Sequence, residues 1–261
     1  MSVLGFRVWL AIDLLGGKAV RLRQGRPETA WVVSDKPAEL AQKWVAEGGR
    51  RLHLVDLDAA LGTGENRSLI RAICRTTTVP VQVGGGVRDE EGYWELRELG
   101  ASRVMVGSLA VHHPERVATI AQSDPHGLVV AADVRDGRVA VHGWREESLL
   151  PLEHFAERMR SLGVGHLLVT GIDRDGTGEG PEIALLQKAL RFFGPGVLAA
   201  GGVGRREHLA SLRNLAPAGL EGVVVGAAVA RGQLTMGDLL ASELVASEED
   251  GNGSFSNRSL S

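Results

Sequence analysis

Val81-Gln82-Val83-Gly84-Gly85-Gly86-Val87 and Val197-Leu198-Ala199-Ala200-Gly201-Gly202-Val203 are the stretches that decide the fold. Each is a short apolar run that stops at paired glycines. Laying Gly85 on Gly201 also aligns the apolar runs and the closing valines. Two more pairs keep the same order. Val104-Met105-Val106-Gly107-Ser108 matches Val223-Val224-Val225-Gly226-Ala227, and Ile12-Asp13-Leu14-Leu15-Gly16-Gly17-Lys18 matches Ala132-Asp133-Val134-Arg135-Asp136-Gly137-Arg138. The partners are separated by 116 to 120 residues. One match would be noise, but three in order indicate a duplicated unit.

Working outward, eight short apolar segments recur: Val8–Ile12, Arg51–Leu57, Val79–Val83, Arg103–Val106, Leu128–Val134, His166–Ile172, Val197–Ala200 and Gly222–Val225. Most are continuously apolar rather than alternating, as strands buried on both faces of a parallel sheet are. Helical patterns lie between them: Lys36–Glu47, Asn66–Arg75, Asp89–Leu99, Pro114–Ala121, Leu152–Leu162, Glu182–Phe193, Arg205–Leu215 and Thr235–Ser247. Asp89–Leu99 carries acid in its first turn and Gly100 after its end, as the helix dipole and C-cap favour. Eight repeated βα units predict an α/β fold, a (β/α)8 TIM barrel built from two fused (β/α)4 half-barrels. The expected division is one barrel over 1–246, with halves of about 1–126 and 127–246, and a polar disordered tail over 247–261.

Composition narrows the function classes. The 261 residues are 44% hydrophobic and 23% charged, with a formal charge of −3. That balance gives no support for a nucleic-acid or anionic-membrane partner. No apolar run approaches the ~20 residues of a membrane span. The one cysteine, Cys74, excludes an internal disulfide and a cysteine zinc cluster, and fits a reducing cytoplasm. Glycine is 35 of 261 residues, about twice the usual share, so backbone is expected to approach a ligand.

In such a barrel the C-terminal strand ends and the loops after them form the site. Two classes of residue stand there. Asp13, Asp56, Asp58, Asp133, Thr170, Asp173 and Asp175 follow strands one, two, five and six. Strands three, four, seven and eight end in glycine, at Gly84-Gly85-Gly86, Gly107-Ser108, Gly201-Gly202 and Gly226. Bare backbone N–H groups at helix starts bind phosphate. A single glycine pair is more often only a tight turn, but two symmetric pairs suit a ligand with a phosphate at each end. Arg88 could add charge to the first. Facing carboxylates suit general acid/base work. An Asp flanked by apolar residues, as Asp13 is, could instead be satisfied by an arginine such as Arg21, and Asp175 could form an Asx turn. The eight histidines show no metal or triad spacing, and His112-His113 reads as a surface loop.

With these motifs in hand, the chain resembles the ProFAR isomerases of histidine biosynthesis, from about Val8 to Ala230. The resemblance rests on Ala11-Ile12-Asp13 leading into Ala19-Val20-Arg21-Leu22-Arg23-Gln24-Gly25, and on His53-Leu54-Val55-Asp56-Leu57-Asp58-Ala59. It continues through Val81–Arg88, Asp133, Gly143-Trp144, Asp173-Arg174-Asp175-Gly176-Thr177, Gly201-Gly202-Val203 and Val225-Gly226. It implies an Amadori rearrangement of a bisphosphorylated ribotide, without metal or organic cofactor. Asp13 then matches the general base, while Asp133 and Asp175 both match positions given acid or orienting roles. Arg21, Trp144, Thr170 and Gly176 match substrate-side positions. Gly85, Gly86, Arg88, Gly107, Ser108, Gly201, Gly202 and Gly226 match the phosphate sites.

Departures keep alternatives open. Gly171 stands where the family usually has an acid, with Asp173 as a possible substitute, and this favours a catalytically silent phosphosugar-binding barrel. The bifunctional isomerases that also act on phosphoribosylanthranilate carry Arg near His142. The related cyclase carries Lys at the position of Arg21, and phosphoribosylanthranilate isomerases use Cys where Asp13 stands. No heptad pattern argues for assembly, so a monomer is the default expectation.

Overall fold

The computed structural model describes residues 5–141 and 146–244. Eight parallel strands close into a barrel: β1 (Arg7–Leu15), β2 (Leu52–Asp56), β3 (Val81–Gly84), β4 (Arg103–Val106), β5 (Leu128–Arg135), β6 (Leu167–Gly171), β7 (Val197–Ala200) and β8 (Leu220–Val225). Each pairs with the next, and β8 returns to β1 through Arg7↔Gly222 to Leu10↔Val225. A helix follows each strand: α1 (Pro37–Ala46), α2 (Arg67–Thr76), α3 (Glu90–Glu98), α4 (Pro114–Ser123), α5 (Leu152–Ser161), α6 (Ile183–Phe193), α7 (Arg206–Arg213) and α8 (Met236–Leu244). All eight expected strands and helices are present, with shifted ends. The tail after residue 247 lies outside the described residues, as do His142, Gly143 and Trp144.

Alternation along the strands builds two separate cores. Outward residues such as Val8, Leu10 and Ile12 pack under the helices with Leu52, Leu54, Val104, Leu167 and Val223. Inward residues form a smaller plug of Trp9, Ala11, Met105, Val129, Leu168, Leu198 and Val224. Layers of inward side chains fill a closed eight-stranded barrel in this way. Both strand faces are therefore apolar, which is why the strands read as continuous runs.

The helix starts were only partly legible. Asp89 caps α3 as expected, its carboxylate accepting from the Gly92 N–H. Asn66 starts α2 but makes no cap bond; its amide instead donates to Asp56 and Asp58, at 2.8 Å each. Two antiparallel excursions went unread in the sequence. Strands Lys18–Arg23 and Arg26–Ser34 form a hairpin that continues β1 over the barrel mouth, and Arg138–Val141 with Glu146–Pro151 extends β5. Charged residues interrupt both sequences, and their buried apolar residues, such as Ala19-Val20 and Val139-Ala140, come in pairs rather than runs, so the run-based strand signal fails there.

Candidate active site

A cavity of about 880 Å³ opens at the C-terminal ends of the strands. Ala11, Met105, Leu168 and Val224 of the inward plug form its floor. Above them Asp13, near the end of β1, and Asp133, on β5, face the same space, with Thr170 beside Asp133 at the same height on β6. The hairpin strand pairs Val20 with Asp13 and so brings Arg21 over the mouth. Arg21 donates to the Asp13 carboxylate at 2.7 Å. Burial pushes the Asp13 carboxyl above the usual carboxylate range, and the Arg21 charge and hydrogen bond oppose that rise without cancelling it. Arg21 is thus both the satisfying partner foreseen for Asp13 and a cavity residue. Its Nη2 is buried without a hydrogen-bond partner among the described residues. A buried cationic donor in that state is suited to an anionic ligand.

Asp175 follows a 3-10 turn, Ile172–Arg174, after β6. Its carboxyl is pushed up to about 7. Burial is the largest cause; the neighbouring charges of Asp13 and Asp133 add to it, against the pull of Arg21. Three carboxylates in one mouth cannot all ionise cheaply, so one stays protonated near neutral pH. Gly176 lets this loop approach the hairpin: its φ is +68°, and a Cβ there would lie 2.7 Å from the Leu22 carbonyl oxygen.

The glycines divide by purpose. Gly85, Gly86, Gly201 and Gly202 all have positive φ, and a Cβ would meet backbone at each. At Gly86 it would come 2.6 Å from the Ala59 Cβ, and at Gly202 it would collide with the Gly180 carbonyl. These turns need glycine for the fold itself. Gly107 and Gly226 differ: both have negative φ, and each starts a short helix, Ser108–His112 or Ala227–Ala230, without a side-chain cap. Nothing lies within 4 Å of a Cβ at Gly107, whereas at Gly226 a Cβ would occupy the Arg21 guanidinium. All these glycines line the cavity, in two groups on opposite sides, with Ser108 and Arg88 in the first group. Arg88 also donates to the Ala59 carbonyl at 3.3 Å.

Other expectations are corrected. Asp56 is fully buried and consumed by structure, accepting from Ala59 N–H at 3.1 Å and Asn66 N–H at 2.7 Å. Asp58 accepts from the Gly16 N–H. Asp173 pairs with Arg135 at 3.5 Å and does not line the cavity, so it does not substitute for an acid at Gly171. Gly171 is itself outside the cavity: a Cβ there would point at Glu182 Oε2, 2.9 Å away, behind the strand. His112 and His113 are exposed, as the surface reading expects, but they also line the mouth, at the end of helix Ser108–His112. His53 was missed. It is buried under the mouth, with Nδ1 2.7 Å from the Gln82 amide. Burial, reinforced by the Arg21 charge, holds its pKa down at about 3, so the ring is neutral. A lone histidine three residues before the strand end, on the inward parity, was the available signal.

Among the described residues no group of three or more His, Cys, Asp or Glu could hold a metal ion, and no helix is long and apolar enough to cross a membrane. A profile of the family described as "Histidine biosynthesis protein" matches residues 7–235, which takes in all eight barrel strands and the helices up to α7. The chain belongs to this family. Individual histidine biosynthesis proteins are similar across the same span. The 1-(5-phosphoribosyl)-5-((5-phosphoribosylamino)methylideneamino)imidazole-4-carboxamide isomerase of Gloeothece citriformis is 43% identical over 231 residues, covering 88% of this chain and 90% of its own. The isomerases of that name from Synechocystis and Moorella thermoacetica are each 42% identical over 232 residues. They cover 88% of this chain, and 90% and 96% of their own.

Proposed function

We propose that this barrel is a ProFAR isomerase, converting the N-glycosylamine end of a bisphosphorylated ribotide into its 1-amino-1-deoxyribulose isomer. The observation that carries the reading is one cavity that brings Asp13, Asp133 and Asp175 together under Arg21. Asp13 is ion-paired with Arg21, and Asp175 is pushed up to about 7. Burial raises both carboxyls; the Arg21 ion pair at Asp13 supports Asp13 as the base and leaves Asp175 as the acid. Asp175, protonated, gives its proton to the ring oxygen; the C1′–O4′ bond breaks and the nitrogen lone pair forms a protonated imine. Asp13, ionised, removes the C2′ proton, and the C–H electrons form the C1′=C2′ enaminol as the imine is neutralised. The enaminol then takes a proton at C1′ from Asp13 and gives up its 2′-hydroxyl proton to Asp175, which yields the ketone and restores both side chains. Asp133, level with Thr170, orients the sugar.

The phosphates follow from the same geometry. The Gly201 backbone packs against Asp175, its Cβ position lying 3.5 Å from the Asp175 Cα, and Arg21 lies at Gly226. The phosphate of the reacting sugar therefore belongs at Gly201, Gly202 and Gly226, and the other at Gly85, Gly86, Arg88, Gly107 and Ser108. The silent-barrel alternative loses its support, because Gly171 faces α6 and not the cavity. The paired arrangement of Asp13 with Asp133, and of the two glycine turns, accords with duplicated halves. We also read the protein as a cytoplasmic monomer; its single cysteine suits a reducing compartment.

A spectrophotometric assay with ProFAR, run beside phosphoribosylanthranilate, tests the reading. Turnover of ProFAR alone is expected. Turnover of both would make the enzyme bifunctional, and turnover of neither would reject the isomerase.

A further inference from the structure

The hairpin Lys18–Ser34 is stitched to the loop that carries Asp175. At its tip the Gln24 N–H donates to the Asp175 carbonyl at 3.2 Å, and the Gln24 side-chain amide donates to the Asp173 carbonyl at 3.0 Å. Gln24 has φ +52°, a left-handed conformation uncommon outside glycine, which turns its amide toward the loop. Leu22 packs backbone to backbone on Gly176. From the other side Arg231 donates to the Gly176 carbonyl at 3.4 Å, while its guanidinium lies 5.8 Å from the centre of the Trp31 ring on the hairpin's second strand. These bonds grip the main chain on both sides of Asp175 and leave its carboxyl for the cavity.

We propose that Gln24 and Arg231 are positioning residues for the isomerisation: they latch the hairpin onto Asp173–Gly176 and so hold the Asp175 carboxyl in the cavity, partly shielded from water. The inference rests on Asp175 being the general acid. The charged groups around that carboxyl are Asp13 of β1, Arg21 of the hairpin and Asp133 of β5, with Arg231 beyond and Asp173 and Arg174 on its own loop. Unlatching leaves those charges in place and admits water. Burial, the largest cause of the raised Asp175 pKa, then weakens, and the acid is lost at lower pH.

The test is steady-state kinetics across pH on Gln24→Met, Arg231→Lys and Asp175→Asn in the full chain. Gln24→Met keeps length and adds no charge, and Arg231→Lys keeps the charge but loses the guanidinium over Trp31. Both residues lie at the rim, outside the core, so both variants should melt with the parent. Gln24→Met should lower kcat about tenfold with KM nearly unchanged, the cost of a misplaced catalytic group. Its alkaline limb should move down by about one pH unit, and Arg231→Lys should move the same way by less. Parental kcat and alkaline limb in both variants, with Asp175→Asn inactive, would overturn the latch while sparing the assignment of Asp175. Parental turnover in Asp175→Asn would overturn both.

Discussion

Gly107 and Gly202 are both glycine at a strand end, for different reasons. At Gly202 the backbone has φ +80° and a Cβ would strike the Gly180 carbonyl, so Gly202→Ala should cost on the order of 3 kcal/mol in chemical denaturation. At Gly107 the backbone is ordinary and the space is open, so the fold does not require glycine there. Gly107→Ala should change stability by less than about 0.5 kcal/mol. It should nevertheless raise KM, because the methyl group enters the space given to a phosphate. A Gly107→Ala enzyme with unchanged KM would remove that phosphate site from the account. From sequence the four glycine ends looked alike, because only the packing of the neighbouring loops separates turn from ligand site. The aspartates were legible in kind but not in duty. Asp13, Asp133 and Asp175 share one cavity, while Asp56 and Asp58 spend their oxygens on Asn66 and nearby amides. Nothing in their local sequence separates the two sets.

Among elements, the parallel strands and the long helices were legible because burial on two faces, or on one stripe, imprints a period on the sequence. Helix α3 shows this best: Asp89, two glutamates and a following Gly100 mark both of its ends. Asp89→Ala removes an exposed cap bond to the Gly92 N–H and should cost about 1 kcal/mol. The loss would be read as a lower denaturation midpoint with unchanged kcat. The hairpin over the mouth was not legible. Its buried apolar pair, Ala19 and Val20, is too short to read as a strand, and its polar residues are chosen for what they reach, Arg21 for Asp13 and Gln24 for the Asp175 loop. The short helices after Gly107 and Gly226 escaped for a related reason: four or five residues carry too little periodicity.

For the whole molecule, the end of the barrel opposite the mouth is closed by charge. Glu221, almost wholly buried, accepts from Arg7 and Arg103 at 2.8 Å each and pairs with His166 at 2.7 Å. Burial alone would raise its pKa, but His166 and Arg103 outweigh it and hold the carboxyl at about 2, below its ordinary 4.5. A depressed folded-state pKa contributes stability above the unfolded value and loses it as pH falls through the folded one. The contribution, on the order of 3 kcal/mol, should be complete above about pH 4.5 and vanish toward pH 2. Glu221→Gln strands two arginines and should destabilise the barrel by about 3 kcal/mol at neutral pH. Its acid-denaturation curve should also lose this step. Parental stability in that variant would show that the cluster fills space without holding the barrel.

The central claim is that Asp13 and Asp175 act in opposite protonation states within one cavity. The most direct test is the pH dependence of kcat/KM for ProFAR, from about pH 5 to 9, in the parent enzyme and in Asp13→Asn and Asp175→Asn. A base that must be ionised and an acid that must be protonated give a bell, its alkaline limb centred near the Asp175 value of about 7. Both variants should lose turnover by several orders of magnitude while still binding a bisphosphate analogue. A profile that stays flat through pH 7, or an Asp175→Asn enzyme that keeps its rate, would contradict the assignment.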